Sequence, residues 1–184
     1  MMKNTFRKKL KGFANFVDCI EDCSEELFFI YDYKEGKCCI VKEKLSEEEQ
    51  LKTLKVVNSD RKEISCFSID NCFIKTGGNR CDCVVFDSSN IVFVEMKANT
   101  KTDNLQLIRQ YYQKAALQIL ATKAFFDSKE ISFAGVRKEA IICFPDSVLT
   151  GSSLTRNSSM VRSFQVDFLN QNRFPINLKN EIIF

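Results

Sequence analysis

The sequence of 184 residues contains no histidine and no tryptophan. Without histidine the chain has no imidazole base for catalysis and no imidazole metal ligand, which excludes every mechanism and every metal site that depends on one. Without tryptophan, the aromatic part of the core must depend mainly on the 17 phenylalanines. Any active site must therefore be built from other side chains.

Long apolar segments are missing as well. No stretch approaches the ~18 apolar residues that a membrane-spanning helix needs. The first twelve residues are polar and basic, without the apolar centre of a secretory signal. We therefore expect a cytoplasmic protein with no membrane partner. Its nine cysteines are expected to be reduced and mostly buried, because Cys38-Cys39 and Cys81-x-Cys83 lack the spacing of zinc knuckles.

The length and charge of the chain limit its class further. With 45% hydrophobic residues, 184 residues suffice for one domain with one core. We expect an N-terminal part with a helix, a hairpin and a short helix (1–60), a central catalytic core (61–145) and a C-terminal loop with strands (146–184). The net charge of +3 permits a nucleic-acid partner without requiring one.

The spacing of apolar residues predicts a mixture of helices and strands. Helices are predicted at 3–22, 47–57 and 105–126, and Ser46 with Glu49 forms a capping box before the second. Strands are predicted at 27–32, 38–41, 64–69, 72–75, 80–86, 91–97, 139–144, 163–169 and 181–184. A polar loop is expected at 147–159. This order predicts an α/β sandwich with a mixed central sheet.

Three residues of the hairpin at 80–97 stand out. Glu95 and Lys97 end an apolar strand and, being two apart, point to the same face. Asp82 begins the preceding strand, and a short turn would place it beside Glu95. Charged groups at the end of a buried strand are costly unless they are paired or bound to a metal. Carboxylates held this close favour a hard cation such as Mg²⁺ or Mn²⁺.

In these residues the sequence resembles the PD-(D/E)xK nucleases, whose motif is an acid on one strand and acid-x-Lys on the next. Asp82 would supply the first acid, although Cys81 stands where the motif has proline, and Glu95-Met96-Lys97 would supply the second part. The resemblance covers about 76–126. It implies a restriction-endonuclease-like three-layer α/β sandwich that hydrolyses phosphodiester bonds with a bound Mg²⁺ or Mn²⁺.

The resemblance also implies roles for individual residues. Asp82, Glu95 and the carbonyl of Met96 would bind the metal, and Lys97 would orient or deprotonate the attacking water. Many members add an acid from an early helix, for which Glu26 is preferred here over Glu21 and Glu25. Many also add a glutamine from the helix after the lysine strand. The candidates, Gln110 and Gln113, share a stripe with Gln106 that is otherwise typical of a solvated face.

Basic residues are candidates for contacts with the phosphate backbone, which are blind to sequence. These candidates are Lys8, Lys9, Lys11, Arg80, Lys101 and Arg156, although surface lysines and arginines are commonly just solvated. We expect a DNA endonuclease, by analogy one used in prokaryotic defence. A chain this short would act as a homodimer or rely on a partner subunit for specificity.

Two other classes of protein remain open. One is a catalytically silent nuclease-like module that binds DNA or a protein partner. The other is an interaction protein of unrelated α/β fold, in which Asp82, Glu95 and Lys97 would not converge. Cation binding distinguishes the first from an active nuclease, and the positions of the three side chains distinguish the second.

Overall fold

The described part of the chain forms four α-helices and ten strands. The structure, a computed structural model, describes residues 2–13, 16–32, 37–43, 45–75, 78–97, 100, 104–145, 148 and 159–184. The helices in this part are α1 (Met2–Leu10), α2 (Glu47–Gln50), α3 (Leu105–Ser128) and α4 (Ser159–Asn172). The strands are β1 (Ile20–Cys23), β2 (Leu27–Asp32), β3 (Cys38–Val41), β4 (Leu54–Val57), β5 (Ile64–Ser68), β6 (Cys83–Phe86), β7 (Asn90–Met96), β8 (Arg137–Cys143), β9 (Ile176–Leu178) and β10 (Glu181–Ile183).

The larger sheet has six strands in the order β1-β5-β6-β7-β8-β9. Strands β1, β5, β6 and β7 pair antiparallel, whereas β7, β8 and β9 pair parallel. Helix α3 makes the crossover between β7 and β8. Strand β7 therefore lies in the middle of a mixed sheet, which explains why all of its residues after Asn90 are buried.

The smaller sheet has four strands in the order β10-β4-β2-β3, with β10 and β4 parallel and the other pairs antiparallel. It packs on one face of the larger sheet through a core that we call the inter-sheet core. The opposite face packs against α1, α3 and α4 through the helix-side core. The helix-side core includes Val84, Ile91 and Phe93. The inter-sheet core includes Cys38, Cys66, Cys83, Val92, Val94 and Met96.

The three layers are thus helices, a six-stranded mixed sheet and a four-stranded mixed sheet. This confirms the predicted mixed α/β class and is compatible with an α/β sandwich. Phenylalanines dominate the helix-side core, as their abundance suggested. The ring of Phe126 packs against the rings of Phe6, Phe67, Phe93 and Phe133.

Several element predictions were right in place but wrong in extent or type. The predicted helix at 3–22 ends at Leu10, and Ile20–Cys23 instead pairs with β5. The capping box of Ser46 and Glu49 is present, but α2 ends at Gln50. The segment at 163–169, predicted as strand, belongs to α4. In each case, packing in the fold overrides a short apolar pattern that fits either helix or strand.

The expectation that all cysteines are reduced is wrong for one pair. Cys19, in the turn before β1, forms a disulfide with Cys72, in the loop after β5. The other seven cysteines are free thiols, and six of these are buried. The prediction that most cysteines are buried is thus confirmed, as expected for side chains that pack like small apolar groups.

Among the described residues, no helix is both long enough and apolar enough to cross a membrane.

Candidate active site

The hairpin of β6 and β7 places two carboxylates at one edge of the larger sheet. Its turn is fixed by Asp87, whose Oδ1 accepts hydrogen bonds from the amides of Ser89 and Asn90, both at 2.6 Å. The pairing of β6 with β7 ends at Cys83 opposite Val94. Continuing this register by one position puts Asp82 opposite Glu95, as the sequence predicted.

The faces of β7 also follow the prediction. Ile91 and Phe93 lie in the helix-side core, whereas Val92, Val94 and Met96 lie in the inter-sheet core. Because side chains alternate along a strand, Glu95 extends the helix-side row. Its carboxylate therefore lies under α3.

Glu95 is a buried carboxylate with a hydrogen-bond partner on only one of its two oxygens. The residue is 1% exposed, and its Oε1 accepts a hydrogen bond from the ammonium of Lys97. Its Oε2 is buried and has no hydrogen-bond partner within the described part of the chain. Burial raises the pKa of Glu95 to about 7, although Lys97 acts in the opposite direction. An oxygen left in this state suits an additional proton or a cation.

Asp82 is held against the end of β7. Its Oδ2 accepts a hydrogen bond from the amide of Met96, and its carbonyl accepts one from the amide of Ile69 at 2.9 Å. Burial raises the pKa of Asp82 well above its usual range, and the carboxylate of Glu95 raises it further. The structure therefore brings Asp82, Glu95 and Lys97 together.

Two further acids lie close to these three residues and were missed by the sequence reasoning. Asp32 ends β2 of the smaller sheet, and Asp70 follows β5. The pKa of Asp32 is raised by burial and then by Asp70, and it is lowered by Lys97. Asp32 did carry a signal: like Glu95, it is an acid at the end of an apolar strand.

With all of its acids ionised, this cluster carries more negative than positive charge. Asp32, Asp70, Asp82 and Glu95 carry four negative charges when ionised, against the positive charges of Lys97 and of Arg80, which forms an ion pair with Asp70. The excess of two negative charges equals the charge of one divalent cation. Within the described ranges, however, no three acids or cysteines form a ready-made metal-binding group. A cation at this position would therefore have to be held by two carboxylates together with other oxygens.

Helix α3 ties the two motif strands together through Gln118 and Thr122. The Nε2 of Gln118 donates to the carbonyl of Arg80 at 3.0 Å, and its Oε1 accepts from Nζ of Lys97 at 3.5 Å. The hydroxyl of Thr122 accepts from the amide of Cys81 at 2.8 Å and donates to the carbonyl of Gln118 at 3.1 Å. The helix therefore holds the segment before Asp82 at a fixed position relative to Lys97.

The two glutamines predicted to be catalytic, Gln110 and Gln113, lie on the solvent-facing side of α3. Both are exposed on α3, as expected for the alternative of a solvated stripe. Gln118 is the glutamine that reaches the site, one turn before the buried Thr122. The sequence hint was its position beside the apolar stripe of α3 rather than in the polar one.

Replacing Thr122 with valine should destabilise the fold by about 1–3 kcal/mol, because the buried amide of Cys81 would lose its acceptor. Urea denaturation measures the change. The Thr122→Ser variant keeps the hydroxyl and should lose less stability than Thr122→Val. A loss in Thr122→Val no larger than the loss in Thr122→Ser would show that the hydrogen bond contributes no more to stability than the packing of the methyl group.

Glu26, the acid predicted from the N-terminal part, lies away from this cluster. Glu26 lies just before β2, exposed, with its Oε2 3.3 Å from Nη2 of Arg61. It stands at the opposite end of β2 from Asp32, which a six-residue strand places about 20 Å away. Asp32, at the other end of β2, is the acid of this strand that lies close enough to act on the pKa values of Asp82 and Glu95.

The basic residues predicted to contact the phosphate backbone lie in several different parts of the fold. Arg80 is not a free cation for phosphate, since its side chain is only 13% exposed and pairs with Asp70. Lys8, Lys9 and Lys11 are exposed, but Lys9 donates to the carbonyl of Glu130. Glu130 lies near Lys138 at the start of β8, about 20 Å from the strand end beside Lys97. Lys101 and Arg156 lie outside the described residues.

The arrangement defines a class of site: a recessed cluster of carboxylates with one lysine, at the ends of neighbouring strands. Comparison with known proteins finds no match, since no family model, no curated protein and no solved structure is similar to the chain. The functional argument therefore depends on the residues themselves.

Proposed function

We propose that this protein is a metal-dependent nuclease of the PD-(D/E)xK type, most simply a DNA endonuclease. The observation that carries the proposal is the meeting of Asp82, Glu95 and Lys97 at adjacent strand ends, with the buried Oε2 of Glu95 lacking a partner. A mixed sheet covered by helices on one face is compatible with the proposed restriction-endonuclease-like fold.

The proposed cation is Mg²⁺ or Mn²⁺, because the available ligands are hard oxygens. Asp82 and Glu95 would hold it, with the carbonyl of Met96 as a further ligand. When bound, such a cation lowers the pKa of water and offsets negative charge on the phosphate. The excess of two negative charges in the cluster supports this assignment.

Lys97 would act on the reacting groups directly. Its ammonium is held by Glu95 and Gln118, so its position is fixed before substrate arrives. From there it would orient the attacking water and offset the charge that grows on the phosphate oxygens. Gln118 would keep Lys97 in place and is a positioning residue.

The proposed partner is nucleic acid. The basic candidates on and after α1 lie far from the site, and Arg80 is paired with Asp70, so these candidates do not outline a groove leading to it. We therefore propose that target recognition comes from a second copy of the chain or from a partner subunit, as is reasonable for a short nuclease. A role in prokaryotic defence remains an analogy.

One observation favours a second candidate, a catalytically silent module that binds DNA or a protein partner. Lys97 occupies Oε1 of Glu95, and the described residues contain no ready-made metal-binding group. A silent module would keep this ion pair and would bind no divalent cation.

Cleavage assays on supercoiled plasmid, linear duplex and single-stranded DNA and RNA test the proposal. We expect cleavage with Mg²⁺ or Mn²⁺, its loss on addition of a chelator, and its recovery when excess cation is restored. The Glu95→Ala variant, purified in the same way, should be inactive. Equal cleavage by wild type and Glu95→Ala would reveal a contaminant or a different site, and no cleavage of any substrate would favour the silent module.

A further inference from the structure

Asp32 belongs to the smaller sheet, yet backbone and side-chain contacts fix it at the candidate active site. It is paired with Cys38 across β2 and β3. The amide of Cys38 donates to Oγ of Ser68 at 3.0 Å, and the side chains of Cys38 and Cys83 lie together in the inter-sheet core. Ser68 and Cys83 are themselves paired in the larger sheet. Because Asp82 directly precedes Cys83, these contacts anchor the end of β2 beside Asp82.

The electrostatic interactions agree with this placement. Asp32 raises the pKa values of both Asp82 and Glu95, and Lys97 lowers that of Asp32. The cluster that Asp32 joins also contains the buried, unpartnered Oε2 of Glu95. An acid cluster with an unsatisfied buried oxygen favours a bound cation over a set of surface charges.

We propose that Asp32 is an outer acid of the cation site, which strengthens cation binding through space or through a water on the cation. This inference rests on the proposed function, because it assumes that Asp82 and Glu95 bind a divalent cation. Asp32 is not assigned as a direct ligand, since within the described ranges no three acids form a metal-binding group. The smaller sheet thereby contributes to the site as well as covering the larger sheet.

Isothermal titration calorimetry with Mn²⁺ tests the inference, using wild type, Asp32→Asn and Glu26→Gln. The two variants remove the same charge from opposite ends of β2, so Glu26→Gln controls for net charge. We expect Asp32→Asn to bind Mn²⁺ about ten-fold more weakly, as loss of a carboxylate several ångströms from a divalent cation implies. Glu26→Gln should bind like wild type.

The outcomes separate the inference from the proposed function. If wild type binds no Mn²⁺, the proposed function and the inference both fail. If wild type and Asp32→Asn bind equally, only the role of Asp32 fails, and the same conclusion follows if Glu26→Gln weakens binding as much as Asp32→Asn. Without cation, Asp32→Asn should be at least as stable in urea as wild type, because most of its charged neighbours are acids. A clearly less stable variant would overturn the inference, since weaker binding would then reflect a disturbed fold.

Discussion

The Lys97→Met variant should cleave nucleic acid about 10²–10³-fold more slowly than wild type at saturating Mg²⁺, which is the usual effect of removing one charge-stabilising group from an active site. Methionine keeps much of the length and apolar volume of the lysine stem but has no charge. The loss should therefore appear in kcat, with little change in KM. Single-turnover cleavage of the best substrate gives the measurement.

Lys114→Met is the matched control, because Lys114 is an exposed lysine of α3. It should cleave at the wild-type rate. If Lys97→Met also cleaves at the wild-type rate, Lys97 has no part in the reaction. If it cleaves slowly but also binds Mn²⁺ much more weakly, Lys97 supports the site structurally rather than acting on the phosphate.

The second large effect concerns stability and pH. The cation-free protein should lose about 3 kcal/mol of unfolding free energy between about pH 4.5 and pH 7 because of Glu95 alone. The pKa of this buried acid is about 7 in the fold, against a usual value of 4.5. Within that range the folded state holds a proton that the unfolded state has released. The contribution of Glu95 to stability is therefore fully present below its unfolded-state pKa of 4.5 and is lost as pH rises through its folded-state pKa of about 7.

Urea denaturation at pH 5, 6, 7 and 8 in the presence of a chelator measures this slope. Glu95→Gln should flatten most of it, and Glu47→Gln, which changes an exposed glutamate of α2, should leave it unchanged. The pKa of Asp82 is also raised, so Asp82 accounts for the dependence of stability on pH that remains in the Glu95→Gln variant. A wild-type protein that becomes more stable from pH 5 to pH 7 would show that Glu95 is ionised and well stabilised without a cation.

Adding Mn²⁺ should stabilise the protein more at pH 8 than at pH 5. Carboxylate ligands must be ionised to bind a cation, so protons compete with it at the lower pH. The cation would then recover part of the stability that ionisation of Glu95 removes. Equal stabilisation at both pH values would point to a binding site elsewhere on the chain.

The central part of the fold could be predicted because its signals are long and local. The hairpin of β6 and β7 has two apolar runs joined by a short polar turn, and α3 has an apolar stripe over more than five turns. Both were located correctly, together with the faces of β7, although β6 begins at Cys83 and not at residue 80. Asp82, Glu95 and Lys97 follow from these elements, since strand alternation and hairpin register fix their relative positions.

The rest depended on contacts between residues distant in sequence. The segment at 163–169 is too short to distinguish helix from strand by its pattern, and packing of Val161 and Phe168 in the helix-side core selects the helix. Asp32 joins the site only because the smaller sheet docks on the larger one. Gln118 was missed because the sequence does not show which turn of α3 packs over the end of β7, and that position decides which glutamine reaches Lys97.

The docking of the two sheets has a mechanical consequence. Among the described residues, no strand ladder connects them, so the distance between Asp32 and the Asp82–Glu95 pair depends on side-chain packing in the inter-sheet core. Small sliding of one layer over the other would change that distance without breaking a ladder hydrogen bond. The contacts of Cys38 with Ser68 and Cys83 resist such sliding. A substitution in the inter-sheet core could therefore change the distance between Asp32 and the Asp82–Glu95 pair without touching any of the three acids.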